Sequence, residues 1–202
     1  MRKTFLSAAA ALSCAAALGA CSTMGMNDDD AMMNDGMGAG AMASVRVGGA
    51  EMFANRNIVE NAVNSPIHRT LVAAVKQANL VETLSGPGPF TVFAPTDTAF
   101  NAVPASARTS LMMDANRAQL QSVLTYHVVP GRLTAADLMS RVRAGGGTAT
   151  LTTVQGGTLR VRQNGSRLTV TDATGGTASV TQGDVMQSNG VIHVVDRVLM
   201  AG

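Results

Sequence analysis

Apolar and polar positions change their period along this 202-residue chain. Between residues 52 and 144 the apolar residues recur at helical spacing. "MFANRNIVENAVNS" places Ile58, Val59, Ala62 and Val63 on one helix face. Pro66 precedes or starts a second helix, in which Leu71, Val72, Val75, Ala78 and Leu80 form the buried stripe. "SGPGP" breaks the chain, and "FTVFA" reads as a strand. Thr96 or Asp97 is placed to cap the helix that follows, because a short side-chain oxygen satisfies an orphan N–H. "PASARTSLMM" and "DANRAQLQSVLTYHVV" are further helical stretches. In the second, Leu120, Val123, Leu124 and His127 share a face, so His127 continues that face or marks its end. Thr134 is a plausible cap for a helix that stops at three glycines, 145–147.

The last third alternates with a period of two. "TATLTTV", "TLRVRQ", "RLTVTD" and "TASVTQ" are joined by Gly156-Gly157, Asn164-Gly165 and "ATGG", which are hairpin signals. "GVIHVVDRVLM" is continuously apolar and predicts a strand covered on both faces, hence central in its sheet. Helices followed by strands predict an α+β domain over residues 45–202.

The N-terminus follows other rules. Arg2 and Lys3 precede an apolar run and then small residues, which is a secretory signal over residues 1–21, too short for a membrane span. Leu18-Gly19-Ala20-Cys21 resembles the bacterial lipobox, in which the Cys is lipidated and becomes the new N-terminus. The alternative is an ordinary signal cut near Ala20. The lipoprotein reading places the chain on the cell envelope, and Ser22 after the Cys favours the outer membrane, facing periplasm or surface; the other reading leaves it secreted or periplasmic. Several acyl chains would anchor it stably. Beyond Cys21 there is no cysteine, which excludes a disulfide, a thiolate zinc site and a cysteine nucleophile downstream.

Residues 22–44 are rich in Met, Gly, Asp and Ala and read as a flexible linker. Thioether sulfurs suit Cu(I), so envelope copper buffering by this linker is one alternative function. It contains no His, and a linker of biased composition is the simpler account.

Charge sharpens the division. Two of the 15 basic residues lie in the signal, leaving 13 against 13 acids. Four acids (Asp28, Asp29, Asp30 and Asp35) precede Val45, so an acidic linker carries a domain of net charge +4. Aromatics are 3% and Trp is absent, so the core rests on aliphatic residues.

Three separated stretches in order resemble the fasciclin family: "FTVFAPTDTAF" at 90–100, "YHVVPG" at 126–131 and "NGVIHVVDRVLM" at 189–200. The similarity covers about residues 54–200. It implies a single fasciclin domain, an antiparallel β-wedge with flanking short helices, in a bacterial secreted or lipoprotein member. The implied role is adhesion or interaction with protein or glycan partners, with no catalytic site and no cofactor. The residues it nominates as a binding or structural motif are Asp97, Tyr126, His127, Asn189 and His193. Some fasciclin-domain proteins bind carotenoids, so a carrier of an apolar ligand is a second alternative.

The residues themselves argue little for catalysis. His68, His127 and His193 are the only imidazoles and lack HxxxH or HxH spacing, so no metal site is assigned. His193 reads as a hydrogen-bonded core histidine, and His68 as exposed or capping at a helix start. No GxSxG elbow occurs, and Asp97, Asp114 and Asp137 sit where helix caps are expected rather than as paired catalytic acids. "GMGAG" follows no strand and is not a phosphate loop. Arg160, Arg162 and Arg167 form a candidate basic patch on adjacent hairpin strands. Without aromatics between them, nucleic acid is not a predicted partner. The patch reads either as a solvated sheet face or as a contact for anionic glycans, lipopolysaccharide or an acidic partner. The Tyr-His segment follows an apolar helical face, which favours burial of both rings. His127 is expected to tie to the "APTD" turn, and Tyr126 to close the core.

Overall fold

The computed structural model describes residues 44–202. The signal, Cys21 and the linker up to residue 43 lie outside the described residues.

The described chain opens with a hairpin, β1 (Ser44–Val47) and β2 (Ala50–Phe53), joined through Gly48 and Gly49 at positive φ. This hairpin was not among the predicted elements, and Ser44 belongs to its first strand rather than to the linker. The alternation Val45-Arg46-Val47, Gly48-Gly49, then Glu51-Met52 is its signal in the sequence. Val47 and Met52 point inward and are buried.

Helices α1 (Ile58–Asn64), α2 (Arg69–Gln77) and α3 (Val81–Ser85) follow. Asn57 and Glu60 form a capping box on α1. In α1 the buried positions are Ile58 and Asn61, while Val63 is half exposed, so the predicted apolar face is rotated. Asn61 is turned inward because its amide accepts from the Phe53 amide, donates to the Phe53 carbonyl and meets Gln187. A polar residue thus takes the core position that periodicity gave to an apolar one.

Strand β3 (Phe90–Pro95) is followed by α4 (Asp97–Asn101), α5 (Ala105–Leu111), a 3-10 turn at Asp114–Asn116 and α6 (Arg117–Tyr126). Then come β4 (Val128–Pro130), α7 (Ala135–Ala144) and strands β5 (Ala149–Thr152), β6 (Thr158–Asn164), β7 (Arg167–Thr171), β8 (Thr177–Gln187) and β9 (Gly190–Val195). Thr134 caps α7, as its sequence position predicts.

The sheet has seven strands in the order β4-β3-β9-β8-β7-β6-β5. All pairings are antiparallel except β3 with β9, which run parallel with Phe90 opposite Gly190 and Phe93 opposite His193. The wedge is therefore mixed rather than purely antiparallel. β9 is central and buried at all six positions, which accounts for its unbroken apolar sequence. The parallel pair lays the first and third family-like stretches side by side, 100 residues apart in sequence.

Two apolar clusters fill the domain. One lies under the α1–α6 helices and includes Ile58, Leu71, Val92, Leu124 and Ile192. The other lies between α7 and the inner faces of β5–β8, around Leu138, Val142, Leu159, Val161 and Val170. α6 and β4 run between them, so Leu124 and Val128 enter the first cluster while Tyr126 and Val129 enter the second.

Candidate functional site

Tyr126 is the last residue of α6, and His127 caps that helix. Both rings are buried, at 1% and 3% exposure. The Tyr126 hydroxyl donates to the Thr158 carbonyl at 2.7 Å and accepts from the Ala173 amide at 2.9 Å. It closes the second cluster against two loops of the sheet, and burial pushes its phenol above the ordinary range. Gly157 leaves room for this ring: a Cβ there would lie 2.6 Å from it.

His127 has a complete set of partners. Nδ1 lies 2.8 Å from the Val123 carbonyl, and Nε2 accepts from the Leu199 amide at 2.9 Å. These bonds select the tautomer with the proton on Nδ1. Burial drives its pKa down to about 4, against weaker upward pulls from the Val123 carbonyl and Asp172. The ring fastens the C-terminal segment, not the turn at residues 94–97 as expected. Only its backbone carbonyl reaches β3, accepting from the Phe93 amide.

Asp97 also acts away from its own helix. Thr96 caps α4 through the Ala99 amide, whereas Asp97 accepts from the Thr70 and Arg69 amides at the start of α2. Partial burial pulls its carboxyl upward, but the donors from Thr70 and Arg69 outweigh it and hold the group below its usual range. His68 precedes that helix and makes no side-chain cap. It is buried at 1% exposure, contrary to the expected exposed or capping position. The packing of α2 against α4 covers it. Its Nδ1 lies 2.7 Å from the Ser65 hydroxyl, and its buried Nε2 has no hydrogen-bond partner.

Asn189 ties three segments together. Its side-chain oxygen accepts from the Ile58 amide, and its nitrogen donates to the Leu84 and Gly86 carbonyls. His193 donates from Nε2 to the Leu133 carbonyl and receives the Asp184 amide at Nδ1, with its ring stacked 5.6 Å from Phe93. Burial lowers its pKa.

The five nominated residues are thus dispersed fasteners rather than one constellation. Tyr126 and His127 are neighbours, Asn189 lies at one end of β9, His193 lies in its middle, and Asp97 lies beyond β3. Among the described residues no group of three or more His, Cys, Asp or Glu is placed to hold a metal. The Ser65–His68 pair has the residue types of a nucleophile and base, but both side chains are sealed in the core.

Sequence reading missed Asp172, which accepts from the amides of Thr174, Gly176 and Met200. Its signal is "DATGG", an Asx turn in which the carboxylate accepts from the amide two residues on.

An apolar cavity of about 40 Å³ lies beneath α1–α3, lined by residues including Ile58, Val75, Leu84 and Val128. A cavity of about 150 Å³ holds one benzene. A carotenoid does not fit in this space without parting the helices.

The outer face of the sheet is different. Arg160, Arg162 and Arg167 are all exposed, and register places them on the face opposite the second cluster. Thr150, Thr158, Thr169 and Thr171 share that face. Among the described residues the ion pairs are Arg46–Glu51 and Arg117–Asp114, so none of the three arginines is engaged by a carboxylate. Arg162 donates to the Thr148 hydroxyl at 3.0 Å, which steadies its stem while leaving a guanidinium edge outward.

A seven-stranded mixed wedge, clasped by a buried Tyr-His pair and by an asparagine at the start of its central strand, defines a small α+β module with no evident reaction centre among the described residues. The fasciclin domain model matches residues 66–201, and the chain belongs to that family. It is 44% identical over 144 residues to protein sll1483 of Synechocystis, covering 71% of this chain and 72% of that protein. It is 32% identical over 144 residues to the cell surface glycolipoprotein MPB83 of Mycobacterium bovis, covering 69% of this chain and 58% of that one. A solved FAS1 domain pair from the insect cell adhesion molecule Fasciclin I superposes with a TM-score of 0.66 at 20% identity, over 79% of this chain and 58% of that chain. The latter shares the fold. No helix among the described residues is long and apolar enough to cross a membrane.

Proposed function

We propose that this chain is a non-enzymatic, lipid-anchored interaction module of the bacterial cell envelope, which contacts protein or glycan partners through the outer face of β5–β8. The observation that carries this reading is the contrast between the two kinds of candidate. The Tyr-His motif, Asp97, Asn189 and His193 spend their polar atoms on the fold. The three arginines are exposed and engage no carboxylate among the described residues, with a single bond from Arg162 to the Thr148 hydroxyl.

The anchor rests on the lipobox at Cys21, and a family relative named as a cell surface glycolipoprotein supports it. Cys21→Ala is expected to move the protein from the membrane pellet to the soluble fraction and to abolish acyl labelling. Continued pelleting of an unlabelled variant would remove the anchor from the reading. For the module itself, crosslinking on intact cells and pull-down should recover envelope partners with the full chain. A chain truncated after residue 44 should recover none of them. Identical partner sets from the two would mean that the domain is not the interaction module.

The copper reading lies on linker residues outside the described structure. The carrier reading gains little from the apolar cavity beneath α1–α3, which is too small for a carotenoid.

A further inference from the structure

We propose that the outer face of β5–β8 docks a linear carboxylated polysaccharide, a polymer of sugars bearing uronate groups. This rests on the interaction-module reading and names the ligand class of that face.

The spacing of the charges comes first. Arg160 and Arg162 are two residues apart on β6, and Arg167 lies on β7 opposite Asn164. At a rise of about 3.3 Å per residue, side chains two apart on one face are about 7 Å apart, and diagonal cross-strand neighbours are separated by about 7–8 Å. The three cations therefore form a row about 14 Å long. Guanidinium forks pair carboxylates through two parallel hydrogen bonds, so each position takes one carboxylate well. A row of separated single charges suits a polymer with charges spaced along it, rather than one clustered headgroup.

The ground between the charges comes second. Outward positions of β5, β6 and β7 carry threonines, Asn164 and the arginines, and no carboxylate. Thr150, Thr152 and Thr158 have exposed side chains beside the row, ready to exchange hydrogen bonds with sugar hydroxyls. An extended peptide is poorly served here. β6, β7 and β8, which carry the arginines and their neighbours, are each paired on both sides, and the one edge on this side of the sheet is the four-residue β5, too short to template a long added strand. Their apolar residues, from Leu159 to Val180, all face the core, so no pocket takes a peptide side chain. A membrane surface would lack an apolar foothold on this face, and nucleic-acid bases would lack an aromatic to stack on.

The test uses the full chain in mild detergent and polygalacturonate as the probe, with affinity read by calorimetry. Three variants of the face are combined: Arg160→Gln, Arg162→Gln and Arg167→Gln. The control combines Arg141→Gln and Arg143→Gln, two exposed arginines on α7. The wild type is expected to bind, the triple variant to bind at least about tenfold more weakly, and the control to stay within about twofold. Raising NaCl from about 50 to about 300 mM should weaken the wild type far more than the triple variant. The triple variant should melt with the wild type, since all three side chains are exposed. Polygalacturonate affinity unchanged in the triple variant would overturn the proposal. So would binding of phosphatidylglycerol vesicles or single-stranded DNA as tightly as polygalacturonate. The two readings fail separately. No polygalacturonate binding with domain-dependent partner capture intact overturns the ligand class alone. Polygalacturonate binding without any domain-dependent partner overturns the module reading alone.

Discussion

His127→Ala lowers the stability of the domain by about 3–4 kcal/mol, from a buried cavity and an orphaned amide together. The imidazole is nearly inaccessible, so its removal leaves a void in the core. Its loss leaves the Leu199 amide without an acceptor inside the core. For a domain of this size the melting temperature falls by roughly 10 °C. The same residue sets an acid dependence. In the fold its pKa is pushed from the ordinary 6.5 to about 4, so the folded ring stays neutral while an unfolded one takes up a proton. Stability from this group is fully present above about pH 6.5 and is lost as pH falls toward about 4, amounting to about 3 kcal/mol at the acid end. His68 and His193 are shifted in the same direction, so the wild type weakens in this window by more than one route. The difference between wild type and His127→Ala isolates the one residue. Thermal melts between pH 7 and pH 4 should show a shallower decline in the variant. Parallel declines would mean that His127 is not held neutral by the fold. A variant that kept its melting temperature but lost partner binding would instead make His127 a contact residue.

Asn189→Ala should cost about 3 kcal/mol, read as a lower urea midpoint with an unchanged slope. Three backbone groups depend on this one side chain: the Ile58 amide at the start of α1, and the Leu84 and Gly86 carbonyls at the C-terminal end of α3. The asparagine itself is largely buried, at 9% exposure. Asn189→Asp should be worse at neutral pH, because a carboxylate would face two carbonyl oxygens where the amide nitrogen now donates. Amide hydrogen exchange at the first turn of α1 should quicken in both variants. An Asn189→Ala midpoint within about 0.5 kcal/mol of wild type would show that these carbonyls find other partners.

Asn189 also shows where sequence reading ends. A residue that bonds to Ile58, 131 positions away, leaves no mark in any local pattern. Only its place in a stretch resembling the family nominates it. His127 was legible as the end of an apolar helix face, since spacing along α6 places it there. Its partner was not, because Leu199 arrives by the closing of the whole chain. His68 was misplaced for the same reason. A polar residue beside Pro66 looks exposed until α4 is packed over it.

Local pattern alone determined most elements from α1 to β9, the central place of β9, the cap at Thr134 and the alternation that turns Arg160, Arg162 and Arg167 to one face. Each follows from short-range periods of 3.6 or 2 and from capping chemistry within four residues. The tertiary structure alone decided that β3 and β9 run parallel, that Asp97 serves α2, and that His127 fastens Leu199 rather than the turn at residues 94–97. It also decided that the arginine row has no carboxylate opposite it. Those features depend on which distant segments meet. That choice is made by joint burial of two apolar clusters and by buried polar groups that must each find a partner.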